Sequence, residues 1–549
     1  MGPPTKAPKT KLNVLALGQG KRVSQSAKSA ILRDLQKLAS ENVEVLQDAA
    51  TSCREIFRER KAAAERKTRF GPLLIERTFE TDEGLVKYPV QNPQAMLQLA
   101  MSESERYSHY VRDAIARHGT PDSKPWGLVI YIDEITCGNP LAVRSNAKRK
   151  VQGVYWALYD LGEVALADDA CWFELVAFRT AETDDFVGNI SHLLDVCLSV
   201  FFDPEGHDLR YGCVFDLLGH GQQIVLTLYL EMLIADIKAL CEAIGSMGVS
   251  ALLPCFLCRR VLSLKAKQKP ELAILDDWVD LACLDATKWG QHSNRSLHKL
   301  LCDLKTDSTV LSADALKRKQ TCCGYKHVES NFLLNPAVAH APLEVIMLDW
   351  MHLFFQTGNW DREVYQILYK ATTRTVKAYT LMAAYVSKFT FPRSQQLRPN
   401  LLCDKHWESC KEAEVFKCSA SDGLTLYAVI CKFFQDVLLK TAEGTTYEAE
   451  LAAKVHSYVC QCDIIDLLQI SKHGRHVDAS LLDEKTATWS QAHATAYGSS
   501  LTYLKTHLTR HLGDMLRRRQ GKSNGIGILL ACWALDACVC ICTIKHNIW

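Results

Sequence analysis

Four groups of residues in this chain have types and spacings that suit chemistry. The first is Asp133-Glu134, at the end of the apolar run Leu128–Ile132, followed by the turn signal Gly138-Asn139-Pro140 and by Arg144, Lys148, Arg149 and Lys150. An acid delivered by a strand end beside positive charge suits a metal-dependent enzyme acting on phosphodiesters. Hard cations take oxygen ligands, and basic side chains meet phosphates. The second is Asp236, between a strand-like run and a helix-like one. Without further context, Asp133 reads as a turn residue and Asp236 as a solvated helix position.

The third group is Pro254-Cys255-Phe256-Leu257-Cys258, with Arg259 and Arg260 behind it. Such a Cys pair serves structural zinc, redox chemistry or simple packing. Zinc needs four ligands in a closed tetrahedral site, so two more must come from elsewhere. The fourth group, Asp349-Trp350-Met351-His352, places an acid and an imidazole three apart on one helical face. The expected zinc quartet is therefore Cys255, Cys258, Asp349 and His352, against the alternative of an N-capping Asp349 with a packed His352. His507 and His511 have the spacing of a zinc-protease pair, but Leu508-Thr509-Arg510 between them holds no general-base Glu. They read as a positively charged helix face.

The elements that must position these groups follow from periodicity. Leu128–Asp133, Val151–Tyr159 and Cys171–Phe178 read as strands, and Thr183–Phe202 as a helix. Ile224–Met247 starts strand-like and turns helix-like after Ala235, although its pattern also fits one long helix. Beyond Leu262 the chain becomes helical and loop-rich, and Ser421–Asp514 is mostly amphipathic helix.

The expected layout is a basic helical region over 1–85, an α/β core with both acids over 86–262, and a helical and loop insertion over 263–395. A helical C-terminal region over 396–520 and an anomalous Cys-rich apolar tail over 521–549 complete it.

Composition bounds the function. A 549-residue chain with 48% hydrophobic and 23% charged residues reads as soluble and globular, with two or more domains. A net charge of +2 excludes a uniformly basic nucleic-acid coat, so DNA contact must come from local patches. The 22 cysteines follow no secretory signal and read as reduced, buried thiols. The apolar run Gly525–Ile544 approaches transmembrane length, yet Asp536 interrupts it. No membrane partner is expected.

In order and spacing, these blocks resemble the Tnp2-like transposases of the CACTA (EnSpm) group. The resemblance rests on the strand ending Asp133-Glu134 with Gly138-Asn139-Pro140-Leu141, on Ala235-Asp236, and on Pro254-Cys255-Phe256-Leu257-Cys258. It continues through Asp349-Trp350-Met351-His352 with Gly358, Lys417-Cys418-Ser419-Ala420-Ser421, and Lys505-Thr506-His507-Leu508 with His511-Leu512. It spans roughly Trp126 to Leu516.

The resemblance implies an RNase H-like α/β core with a large mainly helical insertion and a helical C-terminal region. It also implies DDE chemistry, in which three carboxylates hold two Mg²⁺ or Mn²⁺ ions. Asp133 and Asp236 would be the first two acids. The third, usually a Glu beyond the His-Leu block, is missing where Leu516-Arg517-Arg518-Arg519-Gln520 runs into the tail, and Glu363 is the substitute.

The implied activity is DNA strand cleavage and transfer at transposon ends by a nuclear homo-oligomer on double-stranded DNA, with Arg144, Lys148, Arg149 and Lys150 on phosphates. The other reading is a truncated or decayed copy that binds DNA or chromatin without cutting it.

Overall fold

The computed structural model describes residues 65–520, except 123, 137–149, 184, 222, 268–276, 375–376, 393–396, 399 and 473–475. Its centre is a mixed sheet of five strands: β1 (Trp126–Thr136), β2 (Lys150–Leu158), β3 (Phe173–Arg179), β4 (Leu228–Ala235) and β5 (Ile346–Leu348). Their spatial order is β3-β2-β1-β4-β5. The first three strands form an antiparallel meander, whereas β4 runs parallel to β1 and β5 parallel to β4.

The three strands expected from pattern are therefore present, with shifted ends. β1 continues three residues past Asp133 because its ladder with β2 runs on to the Thr136–Lys150 pair. Ile224–Met247 is not one helix. It divides into Ile224–Leu226, β4 and α1 (Ile237–Ile244), with Asp236 as the N-cap of α1. β4 lies between two parallel neighbours and is buried along nearly its whole length. That explains a continuous apolar run where a one-sided strand would alternate.

Ahead of the sheet stand the antiparallel hairpin Leu74–Thr81/Gly84–Gln91 and two helices, Pro93–Glu103 and Glu105–His118. Between β4 and β5 lies a segment of helices and loops, which includes Asn294–Val310 and Ala313–Cys323.

After β5 the chain is helical. Its elements include α2 (Trp350–Phe354), α3 (Asn359–Arg374), α4 (Glu448–Lys472), α5 (Ala479–Tyr497), α6 (Leu504–Thr509) and α7 (Leu512–Gln520). One hydrophobic core runs without a break from Phe79 through the sheet to Leu516.

A buried ion pair ties the last helix to the sheet. Glu231, in the middle of β4, pairs with Arg519 of α7. Arg519 also donates to the backbone carbonyls of Glu231 (3.3 Å) and Glu344 (3.0 Å). Gly127 leaves room for this pair, since a Cβ there would stand 2.7 Å from that of Glu231.

Among the described residues no helix is long and apolar enough to cross a membrane; the run Gly525–Ile544 lies outside them. The basic N-terminal region up to residue 64 also lies outside. The described cysteines are all free thiols.

Candidate active site and metal centre

Three carboxylates meet towards the C-terminal ends of the three mutually parallel strands, Asp133 inside β1 and the other two directly after β4 and β5. Ile132 of β1 is in register with Ala235 of β4, and Ala235 with Leu348 of β5. The next residue on each strand is Asp133, Asp236 and Asp349. Neighbouring strands stand about 4.8 Å apart, so the three acids start from adjacent positions in one row.

Each acid is held by its own local structure. Tyr131 donates its hydroxyl to Asp133 Oδ2 at 3.0 Å. Asp236 Oδ1 accepts the Ala239 N–H at 2.6 Å and caps α1. Asp349 Oδ1 accepts the Met351 N–H at 2.9 Å and caps α2, while Oδ2 lies 2.8 Å from His352 Nδ1. Short polar side chains favour this position because it satisfies otherwise orphaned helix N–H groups.

The row behaves electrostatically as one cluster. Burial pushes the Asp133 carboxyl up to about 6; His352 and the Tyr131 hydroxyl oppose that rise, and Asp349 and Asp236 add to it. Burial alone would lower His352, but Asp349, with Asp133 and Asp236, carries the imidazole up to about 9. His352 is thus a cation set against three acids. Lys505 of α6 faces the same cluster. Burial brings its amine down to about 8, while Asp361, Asp236 and Asp349 pull the other way. Lys505 Nζ donates to the Gln356 carbonyl at 3.3 Å, on the turn that leaves α2.

Glu363 lies elsewhere. α3 is buried on most of its surface, with Trp360, Asp361, Glu363, Val364, Tyr365, Ile367, Leu368 and Ala371 all inside, so the Glu363 side chain is enclosed. Its Oε1 accepts from Trp489 Nε1 (2.9 Å) and Ser457 Oγ (3.3 Å), and burial pushes its carboxyl up to about 8. A neutral carboxyl in that setting is a packed core group, and the third carboxylate at the cluster is Asp349.

Asp349 and His352 are also not brought to the cysteine pair. A second cluster forms there, in which Cys255 and Cys258 meet His507 and His511, all four buried. Cys255 Sγ lies 3.7 Å from His511 Nε2, and Cys258 Sγ lies 3.5 Å from His507 Nε2 and 3.4 Å from His511 Nε2. The two Nε2 atoms are 3.2 Å apart. Burial would raise the Cys255 thiol, but hydrogen bonding with Cys258 and the adjacent His507 and His511 bring it well below the ordinary range.

The two histidines are therefore not a solvated charged face. Their i, i+4 spacing is the sequence feature that marks them as a pair.

No protein-family model matches this chain, and no curated protein matches it by sequence. Of the basic patch, Lys150 opens β2 and pairs with Glu134. Arg144, Lys148 and Arg149 lie outside the described residues.

Proposed function

We propose that this chain is a metal-dependent DNA strand-cleaving enzyme, a transposase-derived protein built on an RNase H-like core. The strand order supports the fold reading: an antiparallel meander β3-β2-β1 extended by two parallel strands, with Asp133 in the last part of β1 and Asp236 directly after β4. The observation that carries the chemistry is the row Asp133, Asp236 and Asp349 on three adjacent strands in register.

Three carboxylates in one row suit hard divalent cations such as Mg²⁺ or Mn²⁺, and all three would serve as oxygen ligands. When bound, such a pair of ions activates the attacking oxygen and stabilises the leaving one in an in-line displacement at phosphorus. The chain's own groups do the rest. The caps on Asp236 and Asp349 hold one oxygen of each, which restricts how the carboxylates can turn. His352 and Lys505 place positive charge beside the row, where a phosphodiester would sit. Asp349 supplies the third acid that the alternative of a non-cutting relic lacks, so the active reading is preferred.

The test is nicking of supercoiled plasmid in Mn²⁺. Asp133→Asn, Asp236→Asn and Asp349→Asn should each lower the rate roughly a hundredfold or more, the equivalent of about 3 kcal/mol of transition-state stabilisation. Glu363→Gln should remain within about twofold of the parent, because Gln reproduces a neutral buried carboxyl. Full nicking by Asp349→Asn, or loss in Glu363→Gln alone, would overturn the assignment of the third acid. Intact plasmid with the folded parent chain would overturn the active reading.

A further inference from the structure

The cluster of Cys255, Cys258, His507 and His511 lies apart from the carboxylate row and needs its own explanation. Hydrogen bonding does not account for it. His511 Nε2 carries either one hydrogen or one lone pair, yet three polar atoms surround it at 3.2–3.7 Å: Cys255 Sγ, Cys258 Sγ and His507 Nε2. It can share a hydrogen bond well with one of these neighbours, so pairwise hydrogen bonding, such as Cys258 Sγ with His507 Nε2, does not explain why all four atoms converge on one point.

A single ion at the centre satisfies all four atoms. Zinc binds thiolate sulfur at about 2.3 Å and imidazole nitrogen at about 2.0–2.1 Å. A tetrahedron of those lengths puts sulfur and nitrogen roughly 3.5 Å apart and the two nitrogens roughly 3.3 Å apart. The observed separations, 3.4–3.7 Å and 3.2 Å, match both.

Two sulfur and two nitrogen donors favour zinc over the oxygen-seeking cations suited to the carboxylate row. Trp289 covers the cluster, with its ring 4.5 Å from that of His507 and 5.2 Å from that of His511. The donors are buried and leave no open position, which is the pattern of a structural site.

We propose that these four residues form a closed structural zinc site. It clamps the Pro254–Cys258 turn, which follows α1, to α6 and to the residue just before α7, about 250 positions later in the chain. Because α6 also carries Lys505, the clamp holds that lysine against the carboxylate row. The zinc assignment does not depend on the strand-cleavage reading.

The experiment is metal analysis of the purified full chain, with Co²⁺ exchanged for zinc as a spectroscopic reporter. About one zinc per chain is expected, with a cobalt spectrum that carries thiolate charge-transfer bands. Cys258→Ser and His507→Asn should lose the metal, whereas Asp349→Asn and His352→Asn should keep it in full. His511→Cys should retain the metal and shift the cobalt spectrum towards three sulfur donors, so the site stays testable even if the zinc-free variants fold poorly. Chelation should make the segment 504–520 susceptible to protease before the sheet unfolds. Absence of zinc with no uptake by the reduced chain, full zinc in His507→Asn, or an unchanged cobalt spectrum in His511→Cys would each overturn the proposal.

Discussion

At the residue scale, Glu363 is a carboxyl enclosed by the helical region and engaged only by neutral groups. Glu363 is surrounded by Trp489 and Ser457, and its carboxyl titrates at about 8, against an ordinary 4.5. Between those values the unfolded chain is ionised and the folded chain is protonated, so stability falls as pH rises from about 4.5 to about 8 and then levels. Glu363→Gln removes that dependence. Relative to the parent, it should gain on the order of 3–5 kcal/mol between pH 5 and pH 9, measured by denaturant unfolding at each pH. Parallel pH profiles for the two proteins would mean that Glu363 is ionised in the fold and that its setting has been misread.

At the scale of elements, the junction of α7 with β4 is the most exposed to failure. Glu231 interrupts an otherwise apolar central strand, and Arg519 is its partner; the two side chains are 2% and 4% exposed. Breaking such a pair leaves one charge buried without its counter-ion, whereas replacing both partners with apolar groups of similar volume is often tolerated. Arg519→Met should therefore cost about 3–5 kcal/mol, and Glu231→Met combined with Arg519→Met should recover most of that loss. Denaturant midpoints of the two variants are the check. A single Arg519→Met variant as stable as the parent would show that α7 does not depend on this pair. The zinc clamp acts at the same scale, since it fixes α6 immediately before α7 begins.

At the scale of the molecule, the proposed DNA contact would have to come from local patches, because the net charge is only +2. If Arg144, Lys148 and Arg149 neutralise phosphates, replacing all three with Ala should weaken binding equally for any DNA sequence. It should also flatten the slope of log affinity against log salt by about 0.9 for each phosphate left unneutralised, or roughly 2.7 in all. Titrations at several salt concentrations measure this directly. A parallel, merely displaced salt curve would assign those residues a structural role instead. Lys150 is left out of the triple variant because its ion pair with Glu134 already engages it beside Asp133.

The sequence by itself determined the local features of this protein. Alternating and apolar runs marked β1, β2 and β3, because side-chain periodicity is a short-range effect, whereas the pattern of Ile224–Met247 fitted both a strand followed by a helix and one long helix. It also singled out Asp133, Asp236 and the Asp349-x-x-His352 group, since an acid after an apolar run is visible in one dimension. What it could not decide was which of these residues meet. Asp349 joins the acids because β5 pairs beside β4, and that pairing follows a segment of more than a hundred residues. His507 and His511 reach Cys255 and Cys258 only because α6 and α7 pack back against the sheet, through pairs such as Arg519 with Glu231. Glu363 turns inward because the whole helical region defines where the core lies. Such long-range packing depends on which faces bury together, which spacing along the chain does not specify.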